Sequence, residues 1–172
     1  MQDHCDTGIH REIFMARVLH EQYGGELLAD PRVLEFLDQY RGAIEKTGKA
    51  MREMGVHRAC ASCAGKGSGS CCFPGIEEGY DHVLLLINLL LGHSVPDAGE
   101  FPGSCMFVGD RGCKLFARYY FCVHFLCPGL HEVLDPVAVK ALLRLVGEEL
   151  HAGWELEQVL RSWVRNRGRA VS

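Results

Sequence analysis

Apolar residues along this chain recur at spacings of three and four, and this periodicity predicts helices on both sides of a cysteine-rich middle. Ile13, Phe14, Val18 and Leu19 mark a first helix, which the Gly24-Gly25 pair is expected to stop. A second begins where Asp30 can cap and Pro31 suits the first helical position; Val33, Leu37, Tyr40 and Ile44 form its apolar stripe, and it is expected to run to about Met54. "PGIEEGYDHVLLLINLLLGHS" opens on a Pro-Gly turn, places Glu77 and Glu78 in a first helical turn and stops at Gly92, predicting a third. Asp135 and Pro136 repeat the cap-then-proline signal for a fourth, with Val139, Leu142, Leu143 and Val146 facing inward. Trp154, Leu156, Val159, Leu160 and Trp163 predict a fifth. No run alternates convincingly with period two, and there is no internal repeat or long linker. The expectation is a mostly α chain, a single small domain (1–172) of about five helices with two irregular cysteine-rich metal-binding segments. Its cysteine-cluster region, 57–130, is flanked by N-terminal helices (9–54) and C-terminal helices (135–166).

Composition narrows the classes. At 172 residues and 48% hydrophobic content the chain can build a core without disulfides. The segment "MQDHCDTGIHREIFMARVLH" puts acids and histidines where a secretory leader has a basic region and an apolar run, so a cytoplasmic location is expected. The longest apolar run, Val83 to Leu91 and interrupted by Asn88, falls well short of the ~20 residues of a membrane span, so it reads as a buried helix. A net charge of −4 points to no nucleic-acid partner.

What stands out is nine cysteines. Eight follow the pattern C-x2-C-x7-C-C-x32-C-x7-C-x8-C-x4-C, from Cys60, Cys63, Cys71 and Cys72 to Cys105, Cys113, Cys122 and Cys127, while Cys5 stands apart. In a reducing cytosol this points to metal or redox chemistry more than to disulfides. Four plus four matters because structural zinc and iron–sulfur clusters are both commonly held by four thiolates. A C-x2-C loop brings two thiolates to one metal, and "AGKGSGS" suits a loop that bends around a cluster and offers it backbone N–H groups. Adjacent side chains tend to diverge, so Cys71 and Cys72 can serve different metals and bridge two sites. Charge agrees: residues 57–72 and 104–127 together carry +4, with Arg58, Lys66, Arg111, Lys114 and Arg118 against Asp110, in a protein whose remainder sums to −8. Arg118 and Lys66 are the basic residues expected to face the bound group.

The C-x2-C, glycine-rich gap and Cys-Cys, followed by "GSCMFVGDRGCKLFARYYFCVHFLC", resemble the YkgJ-type cysteine-cluster family over about residues 57–130. The resemblance in the second segment rests on Cys105, Phe107-Val108, Cys113, Arg118 and Cys122. The family is described as zinc- or iron-chelating, often with an iron–sulfur cluster, and the resemblance implies that cofactor class without a reaction. Two features depart from it: the family has a shorter gap than the one between Cys63 and Cys71, and it tends to place proline where this chain has Tyr119.

Other candidates are weaker. His57 and His124 lie beside ligand cysteines and could replace one; His82 and His93 flank the apolar helix as edge residues. Arg161, Arg165, Arg167 and Arg169 form a basic end that complements a helix dipole. No phosphate loop and no Ser/His/Asp arrangement is present, so no catalytic constellation accompanies the cysteines. The leading expectation is a metal-binding protein, iron–sulfur or zinc, with a redox or electron-transfer role if the metal is iron. The alternative is a zinc-stabilised structural module that binds a protein partner. A modifying enzyme, suggested by a related cysteine pattern in a lysine-methylating protein, has no evident cosubstrate domain here.

Overall fold

The computed structural model describes residues 8–64 and 70–170, a mostly helical single small domain. Helix α1 spans Ile9–Leu27, α2 Pro31–Glu53, α3 Val56–Ala64, α4 His82–Leu90, α5 Tyr120–His124, α6 Pro128–Val133 and α7 Pro136–Ala170. A two-residue antiparallel ladder, β1 (Val108–Gly109) and β2 (Gly112–Cys113), pairs Val108 with Cys113.

The cap chemistry expected of α2 is present: the Asp30 carboxylate accepts from the N–H groups of Arg32 and Val33, and Pro31 occupies the first helical position. Other boundaries differ from the periodic reading. Helix α1 continues through Gly24-Gly25 to Leu27, because Leu27 is fully buried and its burial outweighs the roughly 1 kcal/mol that a helical glycine costs. Glu77 and Glu78 fall in a separate 3-10 turn, Ile76–Gly79, because Asp81 caps a new helix by accepting from Val83 and Leu84 N–H. The expected fourth and fifth helices are one 35-residue helix, α7. It runs unbroken through Gly147 and Gly153, and at Gly153 the missing side chain makes room for Tyr40: a Cβ there would lie 2.9 Å from the Tyr40 ring. The first cysteine segment, expected to be irregular, is helical at its start, since Cys60 and Cys63 lie on α3.

Helices α2 and α7 pack along their lengths, and α1 packs on α4. The apolar side chains form two clusters. The larger gathers Ile13, Leu27, Leu37, Leu85, Leu86, Phe107 and Leu160. The smaller joins Met51, Val56, Val123, Leu126, Leu142 and Val146 beneath α3, α5 and α6, with Cys60 and Cys127 packed against it. Each cysteine-bearing segment is thereby seated on apolar core.

Asn88 is the polar exception inside α4. Fully buried, it donates through Nδ2 to the carbonyls of Leu84 (3.1 Å) and Ala117 (2.9 Å), and its Oδ1 accepts from the N–H groups of Phe116 (2.9 Å) and Ala117 (3.0 Å). The interruption of the apolar run is thus a clamp on residues 116–117, midway between Cys113 and Cys122. Asn88→Leu would keep the volume but strand three buried backbone groups, and is expected to cost about 2–4 kcal/mol, a fall of roughly 5–15 °C in Tm by calorimetry.

Glu149 is buried on α7 with both carboxylate oxygens unpartnered, because the nearby Thr47 hydroxyl donates its one proton to the carbonyls of Ala43 or Leu145. Burial pushes its carboxyl above the ordinary 4.5, with Thr47 and Arg118 opposing. A raised carboxyl binds its proton more tightly folded than unfolded, so its contribution to stability is lost as pH rises through that raised value. Glu149→Gln, neutral throughout, is expected to raise Tm, with a gain that grows between pH 5 and pH 8. An equal gain at every pH would count against this account of Glu149.

Candidate functional site

Cys60 and Cys63 are three residues apart on α3, which puts both thiols on one face of the helix. Cys127 is the residue before Pro128 at the start of α6, where its carbonyl accepts from Leu130 (2.9 Å) and His131 (3.2 Å). Cys71 comes from the turn between α3 and α4. The Cys60 thiol is pushed up to about 11, first by burial and then by the neighbouring Cys71, Cys127 and Cys63, against the lowering effect of Arg118. Those four cysteines therefore form one electrostatically coupled group.

The other four form a second. The Cys72 carbonyl accepts from Cys105 N–H (2.9 Å), which ties the two cysteine segments together, and Cys72 N–H donates to the Ser70 hydroxyl (3.1 Å). Cys105 accepts from Phe107 N–H at 3.4 Å. Its thiol is pushed up to about 12 by burial, with Glu77, Cys113 and Cys122 adding to the shift. Cys113 lies on β2 and Cys122 on α5. Cys113 is exposed as a residue, but its sulfur is crowded by protein, which raises the thiol. Cys122 is pushed up to about 11 by burial and then by Cys113. The three others all act on Cys72, which feels Cys113, Cys105 and Cys122.

The adjacent pair joins the groups. Cys71 donates its S–H to the Cys72 sulfur, raising its own thiol and lowering that of Cys72. Cys71 also raises the thiols of both Cys60 and Cys122.

Three polar side chains accompany the thiols. Arg118, from the segment that Asn88 clamps, reaches the Met51 sulfur at 3.6 Å and lowers the thiols of Cys60, Cys113 and Cys122, so one guanidinium serves both groups. The Tyr80 hydroxyl is buried without a partner at ordinary hydrogen-bond distance, yet it is near enough to Cys113 and Cys122 to favour their thiolates. His57 Nε2 is likewise buried and unpartnered; burial, then Arg118 and Arg52, disfavour its protonation. Sequence reasoning missed Tyr80, whose position before the α4 cap carries no local signal.

The remaining expectations sort plainly. Cys5 and Lys66 lie outside the described residues. All eight clustered cysteines are free thiols. His124 is exposed on α5. His82 is occupied by Glu12, whose carboxylate lies 2.8 Å from Nδ1 and accepts from the His82 N–H at 2.7 Å; His93 stacks on Phe116 at 4.4 Å. Arg161 and Arg167 do more than complement a dipole: Arg161 pairs with Asp81 and Glu157, and Arg167 pairs with Glu26 and covers Trp163.

Among the described residues no three His, Cys, Asp or Glu side chains are drawn to metal-holding distance. Four buried thiolates would repel one another unless a cation sat among them, and the donor set is of the soft kind that suits zinc or iron–sulfur iron.

Tyr80→Phe removes only an unpaired hydroxyl, so in chelator-treated protein it is expected to leave Tm within about 2 °C of the parent. A loss of 5 °C or more would mean that the hydroxyl already has a protein partner. Comparison with known protein families, with curated proteins and with solved structures finds none that matches this chain.

Proposed function

We propose that this is a cysteine-ligated metal protein with two centres, one held by Cys60, Cys63, Cys71 and Cys127 and the other by Cys72, Cys105, Cys113 and Cys122. What supports the reading is that the fold brings the two cysteine segments together: Cys105 N–H donates to the Cys72 carbonyl, Cys71, Cys127 and Cys63 disfavour the Cys60 thiolate, and Cys113, Cys105 and Cys122 disfavour that of Cys72. Iron–sulfur iron or zinc suits such a donor set, and the resemblance to YkgJ-type cysteine-cluster proteins implies the same class. Iron would supply one-electron chemistry at the two adjoining centres and thus an electron-transfer role. Zinc would supply only cross-links between the cysteine segments and the helical scaffold.

The side chains around the thiols suit an anionic centre. Arg118 offsets negative charge on both sets, while the Tyr80 hydroxyl and His57 Nε2, buried without partners, are available as hydrogen-bond donors to thiolate sulfur. No helix among the described residues is long and apolar enough to cross a membrane, and we place the protein in the cytoplasm, where thiols stay reduced.

Protein purified without oxygen is expected to carry metal, read by elemental analysis and absorption. Brown protein with acid-labile sulfide identifies iron–sulfur, and colourless protein with bound zinc identifies the cross-linking role. Cys60→Ser and Cys127→Ser are expected to remove one centre, Cys105→Ser and Cys113→Ser the other, and the Cys71→Ser/Cys72→Ser double variant both. Folded, metal-free parent protein with eight free thiols would overturn the proposal, and loss of the same centre from Cys60→Ser and Cys113→Ser would overturn the partition.

A further inference from the structure

Packing does not explain the hydroxyl of Tyr80. The residue is 2% exposed, and its ring meets Phe107 edge-on, with centroids 5.0 Å apart, and Tyr119 at 5.8 Å. Phenylalanine would make the same contacts without burying a polar atom, and a buried phenol ordinarily finds an acceptor. Tyr80 Oη is buried and has none. Its surroundings show which acceptor it faces. The Phe107 carbonyl accepts from the N–H of Lys114 (2.8 Å), next to Cys113, and the Tyr119 carbonyl accepts from the N–H of Cys122 (2.9 Å). The two rings that hold Tyr80 are thus tied by backbone hydrogen bonds to the stretches that carry Cys113 and Cys122. These are also the two thiols whose charged form the hydroxyl favours.

A protonated thiol is a weak acceptor, whereas an ionised acceptor makes a shorter and stronger hydrogen bond. The phenol, which keeps its proton at neutral pH, therefore gains a full partner only when one of these sulfurs gives up its own. Other donors serve the same set. Cys105 sulfur accepts from Phe107 N–H at 3.4 Å, and the N–H of Leu115 favours the Cys113 thiolate. Around Cys60, in the first set, the influences among the described residues are burial, the other thiols and Arg118, without a hydrogen-bond donor. His57, the other buried donor without a partner, has Arg118 and Arg52 as its charged neighbours. Hydrogen-bond donors to sulfur are thus weighted toward the second set among the described residues.

Resting on the two-centre reading, we infer that Tyr80 is a positioning residue of the second centre: its hydroxyl donates to the sulfur of Cys113 or Cys122 once that sulfur is metal-bound, which makes this centre the tighter of the two and the first to fill. Cobalt(II) is the probe, because tetrahedral thiolate sites give it visible bands and a sulfur-to-cobalt charge-transfer band. Cys60→Ser isolates the second centre and Cys105→Ser the first, with circular dichroism confirming each fold. In the Cys60→Ser background, Tyr80→Phe is expected to weaken cobalt binding about tenfold or more in a chelator competition. The charge-transfer band is expected to move to longer wavelength, because the sulfur lone pair loses a hydrogen bond that held it at lower energy. In the Cys105→Ser background, the same change is expected to leave affinity within about twofold. In the parent, the first equivalent of cobalt is expected to give the spectrum of the second centre. Unchanged affinity and band at the second centre, equal weakening at both centres, or filling of the first centre before the second would overturn this inference and leave the metal reading standing. A parent that takes up no cobalt, zinc or iron would instead overturn the metal reading, and this inference with it.

Discussion

The fold of the second cysteine segment depends on one buried amide. A chain between Cys113 and Cys122 that lacks regular structure must still satisfy its backbone N–H and C=O groups wherever it is buried. Asn88 does this from inside an otherwise apolar helix, taking two N–H groups and one carbonyl of residues 116–117 in addition to its own helix's Leu84 carbonyl. The amide is saturated, so it does not carry the usual penalty of a polar group in a core. Its position on α4, which packs against α1, transfers the rigidity of the apolar scaffold to the second cysteine segment.

That anchoring sets where Arg118 points. The residue directly follows the clamped pair, and its guanidinium ends at Met51 on α2. A single fixed cation can then moderate charge on Cys60, Cys113 and Cys122, which come from three different elements. The same cation reaches Glu149 and Tyr40, so the interior between α2 and α7 and the thiol region share one electrostatic environment. In Tyr40, burial and the nearby Glu149 and Glu157 carboxylates both disfavour the phenolate, and Arg118 works against them.

Much of the helical scaffold was legible from residue pattern alone, because periodic burial and local caps are properties of short stretches. Asp30 with Pro31 marks the start of α2, and the stripe of Val33, Leu37, Tyr40 and Ile44 is buried as its spacing implies. Local signals misled where a distant partner outweighed them. Gly24-Gly25 resembles a stop, but burial of Leu27 carries α1 past it; the two apolar stripes expected as a fourth and a fifth helix belong to one continuous α7. Glu77 and Glu78 resemble a first helical turn, but Asp81 holds the stronger cap.

The cysteines themselves show the same division. Their number, their spacing and the softness of sulfur as a ligand determined the class of chemistry worth considering, since these depend only on residue type and on what a C-x2-C unit can reach. Which thiol neighbours which was decided by tertiary structure. Cys127 is 67 residues from Cys60 along the chain, yet it acts on the Cys60 thiol, because both pack against the smaller apolar cluster. Tyr80, the unpaired donor beside Cys113 and Cys122, likewise owes its role to packing of its ring against Phe107 and Tyr119. Such partnerships join residues far apart in sequence through burial, and no local pattern encodes them; spacing could name the eight thiols, and only the packed core could sort them into two sets.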